Sequence, residues 1–203
     1  MTGKIKDRLE TGYRHRGAVL VFCLVFLLVL TMMSAASMES SILEEKMTGN
    51  MFDHGKAFYA AEAALQTGEA RLSADGFRSD ASSDGSTGIW EKNAMDPDLR
   101  NSIPWWSESA RDEADWWNET AVLLVDFPEL AVSPAYIIEE YASAVAPALE
   151  TGQENTEHVF YRVTARGAGG QDSTVVQLQS VIALSNSSVS TFPKGRKSWR
   201  QLD

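Results

Sequence analysis

Cysteine is almost missing from this chain of 203 residues: Cys23 stands alone. One thiol closes no intrachain disulfide, so cysteine usage says nothing about redox compartment, and no Cys/His cluster has metal-ligand spacing. The three histidines, His15, His54 and His158, lie far apart in sequence and outside any motif. Proline is absent before Pro97, so nothing of that kind interrupts a helix in the first half. Catalytic signatures are absent as well: there is no GxSxG, no HExxH and no phosphate loop. The glycines of Gly167-Ala-Gly-Gly170 fall in a predicted hairpin turn, with no helix after them to offer amide dipoles to a phosphate. Glu139 and Glu140 are neighbours in a predicted strand, so they face opposite ways and cannot share a proton. A non-enzyme with no cofactor is expected.

Positive charge is scarce and unevenly placed. The formal net charge is −10. Before Ala18, Lys4, Lys6, Arg8, Arg14 and Arg16 stand against Asp7 and Glu10, which is 5 − 2 = +3; after Gly17 the balance is 13 − 26 = −13. A chain this acidic repels nucleic acid, which needs clustered Lys and Arg to displace counterions. The one basic cluster outside the first residues, Lys194-Gly-Arg-Lys197, reads as a solvated end.

Charge is missing altogether from Gly17 to Met38. Ala18 to Met33 is AVLVFCLVFLLVLTMM, and with Ser34-Ala-Ala-Ser-Met38 it supplies about 20 residues of low polarity, enough for a helix to cross a bilayer core. The basic flank is N-terminal, and Glu39, Glu44 and Glu45 follow. The positive-inside tendency therefore leaves the first residues in the cytoplasm. Composition leaves three readings open: a secretory signal peptide with Ser34-Ala35-Ala36 as its cleavage site, a plain single-span anchor, or a precursor leader cut at Arg16-Gly17 that leaves the helix on the mature protein.

The next segment discriminates. Met47, Met51, Phe58, Ala61, Leu65 and Leu72 fall at steps of 3, 4 or 7 and predict one apolar stripe on a continuing helix. Ser73, Asp75 and Gly76 are a stop signal. Gly49, Gly55 and Gly68, at about 1 kcal/mol each, are expected soft points. The apolar span and the amphipathic helix thus form one predicted rod from Ala18 to about Leu72, on the order of 80 Å at about 1.5 Å per residue. A cleavable signal peptide has no reason to lead into such a rod.

Beyond it, 74–131 reads as loop and helix. Asp75, Asp80 and Asp84 are carboxylates without EF-hand spacing. Trp90, Trp105-Trp106 and Trp116-Trp117 suit an adhesive or carbohydrate platform, but large aromatics more often fill cores and interfaces. The stretch Ser107–Asp115 between the pairs looks like a short exposed helix. Strand signals come late, at Val122–Val125, Tyr136–Ile138, Val159–Arg166 and Thr174–Leu184. The last two alternate on either side of the turn Gly167–Asp172 and predict a hairpin. The expected fold is α+β, a long N-terminal helix packed on a C-terminal antiparallel sheet in 132–185, with 186–203 as a tail.

Three blocks in the first third carry a resemblance: Arg16-Gly17-Ala18 before the uncharged run, Leu43-Glu-Glu-Lys-Met-Thr-Gly-Asn50, and Ala57-Phe-Tyr-Ala-Ala-Glu-Ala-Ala-Leu65. In this order and spacing they resemble PilX-type minor pilins of bacterial type IV pili. Pro134–Glu139, Tyr161–Gly170 and Val176–Ser180 resemble the sheet of the same family, while about 75–131 shows no such likeness. The resemblance implies a leader over 1–17, a membrane half over 18–38 and an amphipathic half over 39–73. It implies cleavage after Gly17 by a prepilin peptidase, methylation at Ala18, and assembly from the inner membrane into a surface pilus. The implied partners are the major pilin, other minor pilins and a pilus-tip adhesin. Major pilins of this kind carry glutamate at the fifth residue after the cut; here that residue is Phe22. Two alternatives stand beside it: a tip pseudopilin of a type II secretion system, which shares the leader and helix, and an uncut anchor for a periplasmic binding module, outside any filament.

Overall fold

The computed structural model describes residues 18–74, 81–111, 114–125, 127, 129–146, 156–185 and 195–202. Helix α1 runs unbroken over Ala18–Ser73, as the proline-free sequence predicts. The chain divides into two units after Gly49. In the first, α1 is the whole of the described structure, and every residue of it is exposed. Thr31, Ser34 and Ser37 donate their hydroxyls to the carbonyls of Leu28, Leu30 and Met33, so the few polar side chains of the apolar run are satisfied within the helix.

The second unit is built on a five-stranded antiparallel sheet in the order β1-β2-β3-β4-β5, with β1 Val122–Leu123, β2 Ala135–Ala146, β3 Thr156–Ala168, β4 Val175–Ser185 and β5 Gly195–Leu202. The predicted hairpin is present: Val159 pairs with Leu184 and Arg166 with Gln177. Gly167 and Ala168 belong to β3, however, and the turn begins only at Gly169, whose amide donates to the Thr174 carbonyl. The Asp53 carboxylate of α1 holds this turn, accepting from the Gly170 amide at 2.6 Å. The Thr174 hydroxyl, ahead of the amides of Gly170 and Gln171, keeps Asp53 below the usual carboxylate range.

Residue parity shows that both faces of the sheet are covered. Tyr136, Ile138, Val163, Ala165, Val176, Leu178 and Ile182 point to one face and pack on Ala57, Ala61, Ala64, Leu65 and Leu72 of α1. Ala135 and Ile137, one residue out of step with Tyr136 and Ile138, point to the other face and pack on Met95, Trp105 and Trp117. Trp90 extends the sheet at the outer edge of β2, donating its amide to Ile138 and accepting from Glu140.

The helix face that meets the sheet is built from small residues. The buried positions are Ala57, Ala60, Ala61, Ala64, Leu65, Gly68 and Leu72. Met51, in the same unit, lies outside that contact and is exposed. The apolar stripe is therefore part core and part free surface. Gly68 is not a soft point but a close approach: a methyl there would fall 2.7 Å from Val163 Cγ1 and 2.9 Å from Tyr136 Cδ2.

Two further expectations need correction. The end read as a solvated tail contains β5, which pairs with β4 from Gln177–Leu202 to Ala183–Gly195. Arg196 to Gln201 are exposed, so the basic residues do face solvent as read; what the sequence missed is the strand that carries them. Arg196 donates to both carboxylate oxygens of Glu69 at 2.7 and 2.8 Å, and Arg200 donates to Gln179. The stretch after the first tryptophan pair is not one exposed helix. A 3-10 turn covers Ser109–Arg111, and α2 covers Ala114–Thr120, carrying Trp117 into the core.

Candidate assembly helix and tryptophan face

The residues expected to be processed lie at the start of α1. Ala18 is its first described residue, while Arg16 and Gly17 fall outside the described residues. Phe22 stands about one turn further on and is 69% exposed. Around it Val19, Leu20, Val21, Leu24, Val25 and Phe26 are exposed too, and the helix is long and apolar enough to cross a membrane. Such a surface is suited to lipid or to other apolar helices, and it holds no group able to donate or accept a proton beyond the lone Cys23 thiol. Beyond Met38, Ile42, Leu43, Met47, Met51 and Phe52 remain exposed, so apolar surface continues past the length a bilayer core requires.

The other face of interest lies on the sheet, opposite α1. Two of its tryptophans are core rather than platform, while Trp90, Trp106 and Trp116 are half-buried. Trp105 and Trp117 are 3% and 1% exposed, and Trp105 packs against Trp106, Trp116 and Trp117 with ring centroids 5.6–6.3 Å apart. Each such ring buries about 150–250 Å2, on the order of 4–6 kcal/mol of transfer free energy at about 25 cal/mol per Å2. This face is therefore a second core in its own right.

Sequence reasoning missed the charge inside it. Glu139 is 1% exposed, pairs with Arg162 directly across the β2–β3 ladder, and accepts the Trp105 indole N–H at 2.6 Å. Burial pushes the Glu139 carboxyl up, against the opposing pull of Arg162 and Trp105. Burial likewise draws Arg162 down from its ordinary value, against the pull of Glu139. The guanidinium lies over Trp106 at 4.5 Å and Tyr141 at 4.7 Å. Glu140, next in β2, faces the other way and is half-buried. The signal that would have found the pair is register: once β2 and β3 are aligned, an acid and a base sit opposite each other.

Asp75 and Asp80 lie outside the described residues. Asp84 accepts from the Ser86 amide, which holds its carboxyl below the ordinary value. Among the described residues no cluster of His, Cys, Asp and Glu has the makings of a metal site.

Two family models match the chain. The one described as PilX N-terminal covers residues 16–66, and the one described as type IV pilus assembly protein PilX C-term covers residues 74–184. The chain belongs to the PilX family. It is a minor pilin of the type IV pilus, with a transmembrane helix and an α+β pilin layout. The PilX C-terminal match takes in the loops and tryptophans of 75–131, where the sequence showed no likeness; the middle is thus part of the family domain. Comparison with curated proteins and with solved structures gives no match. PilX pilins are structural, non-enzymatic proteins, membrane-anchored by the apolar helix, and they interact with other components of the pilus.

Proposed function

We propose that this minor pilin primes pilus assembly at or near the tip and supports adhesion and twitching motility. The observation that carries the reading is Phe22 at the fifth position after the expected cut, in a helix whose first turns are wholly apolar and exposed. A carboxylate in a bilayer costs about 2.5–3.5 kcal/mol on insertion scales unless it finds a partner. Major pilins retain one there to meet the amine of a neighbouring subunit. The first subunit of a filament has no subunit ahead of it and gains by carrying phenylalanine instead. In this reading residues 1–17 stay in the cytoplasm, the domain after Met38 is periplasmic before assembly, and the pilus displays it afterwards. The major pilin, other minor pilins and a tip adhesin are its partners.

Immunogold labelling of sheared pili should place this subunit at filament ends, and a deletion strain should carry few pili. Labels spread evenly along the shafts, or a normal number of pili, would sink the priming role.

Processing is separately testable. Prepilin peptidase should cut between Gly17 and Ala18, and mass spectrometry of the mature chain should find a methylated N-terminus at Ala18. Gly17→Val should leave the precursor uncut, because a pocket shaped for a residue without a side chain has no space for a branched one. A mature chain beginning at Met1 or Ser37 would contradict both statements and favour the anchor or the signal peptide.

A further inference from the structure

On the tryptophan side of the sheet lies a cleft of about 730 Å3. It is built by three separate pieces of chain, one of them the β3–β4 hairpin with its turn. Arg166 and Gln177 are opposite one another in the β3–β4 ladder. Ser107, Glu108 and Ser109 come from the segment after Trp106, Asp172 and Ser173 from the hairpin turn, and Leu202 from the end of β5. The volume falls within the range of about 300–1,000 Å3 common for small-molecule sites.

The lining is chemically mixed in a specific way. Glu108 and Asp172 can only accept hydrogen bonds when ionised, Arg166 can only donate, and Gln177 and the three serines do both. Trp106, Val175 and Leu202 add apolar wall. Arg166 is buried, whereas Ser107, Ser109, Asp172 and Ser173 are exposed at the rim. An apolar ligand would strip water from the exposed serines and Asp172 and return no hydrogen bond. An anion would meet two carboxylates against one guanidinium, and a cation would suit those carboxylates but be opposed by Arg166. A neutral ligand with many hydroxyls matches the set, since each hydroxyl both donates and accepts and the ring carbons suit the apolar wall.

We propose that this cleft binds a short neutral oligosaccharide. The proposal gives a ligand class to the adhesive part of the reading above. It is independent of tip position, because it is measured on the purified chain without pili; failure in either place leaves the other standing.

The test uses the full chain in a phosphocholine detergent, since alkyl glycosides would compete. The probes are maltotriose, triacetylchitotriose and, as the charged comparison, trigalacturonate. Saturation-transfer NMR and tryptophan emission should show saturable binding of a neutral trisaccharide near about 1 mM, weakened about tenfold in Asp172→Ala/Gln177→Ala. Both substituted side chains lie on the cleft and outside the two cores, and circular dichroism reports whether the variant is folded. Should it unfold, Ser107→Trp, which fills the exposed rim, replaces it with the same expected loss. No transfer to either neutral probe would overturn the proposal, as would binding that the folded variants leave unchanged. Tighter binding of trigalacturonate, or saturable binding only of an acidic or basic peptide, would overturn it in favour of a charged ligand.

Discussion

Replacing Gly167 by alanine should lower the melting temperature of the sheet-bearing unit by on the order of 10 °C. Gly167 lies in β3 opposite Val176, where α1 comes closest to the sheet. A single methyl there would overlap the Ala61 amide nitrogen and the Ala57 carbonyl oxygen, and would fall 2.9 Å from the Ala60 carbonyl carbon. These are backbone atoms of a helix, with no rotamer to change. The helix must lift off, and the alanine face from Ala57 to Gly68 loses contact with Tyr136 and Val163 together. Overpacking costs up to about 3 kcal/mol in typical cores, which in a domain of this size is about 6–12 °C. Gly55→Ala is the control: nothing lies within 4 Å of the added methyl, and helix propensity predicts a gain of up to about 1 kcal/mol. Near-ultraviolet circular dichroism of the tryptophans, followed on heating, reads both. Equal melting of Gly167→Ala and the unsubstituted chain would mean that the helix is not held against β3 as described.

Removing Arg162 should cost about 3–5 kcal/mol at neutral pH, because it leaves the Glu139 carboxylate buried without its counter-charge. Arg162→Met keeps most of the side-chain volume, so the loss reports charge more than cavity. The pH dependence identifies the cause. Burial already raises the Glu139 pKa, and without Arg162 the shift grows. A carboxyl whose folded pKa exceeds its unfolded value is fully tolerated below the unfolded pKa, and stability falls as pH rises through the folded pKa. Arg162→Met should therefore approach the stability of the unsubstituted protein in acid and separate from it towards neutrality. Glu139→Gln combined with Arg162→Met should restore most of the loss at neutral pH, since the amide oxygen can still accept from Trp105. Chemical denaturation at two pH values distinguishes the cases. A double variant as weak as the single one would assign the loss instead to the stacking of Arg162 on Trp106 and Tyr141.

Both substitutions alter contacts between residues far apart in sequence, and this marks the boundary of what sequence reading could reach. Helix α1 was legible because its determinants are local: no proline before Pro97, no charge from Gly17 to Met38, and a 3.6-residue periodicity afterwards. The β3–β4 hairpin was legible for a similar reason, with two alternating runs flanking a glycine-rich turn. The three family blocks within 16–65 are also local, and with them came the pilin assignment. The fifth strand was not legible. GRKSWRQL has almost no apolar alternation, and its partners Glu62, Glu69 and Gln179 cannot be inferred until β4 and α1 are in place.

The amino-acid sequence by itself determined the membrane-length helix, the hairpin and the family, because each depends on the order and spacing of neighbouring residues. Tertiary structure alone decided which part of the helix stripe is core and which stays free: Ala57 to Leu72 meets the sheet, while Met51 does not. It also decided that the tryptophans form a second core on the far face, that Glu139 and Arg162 face each other inside it, and that Gly68 and Gly167 mark the close approach of helix and sheet. The physical reason is common to all of these. Burial, ion pairing and steric exclusion depend on distances between chain segments separated by tens of residues, and those distances are set only when the sheet closes between the helix and the tryptophan face.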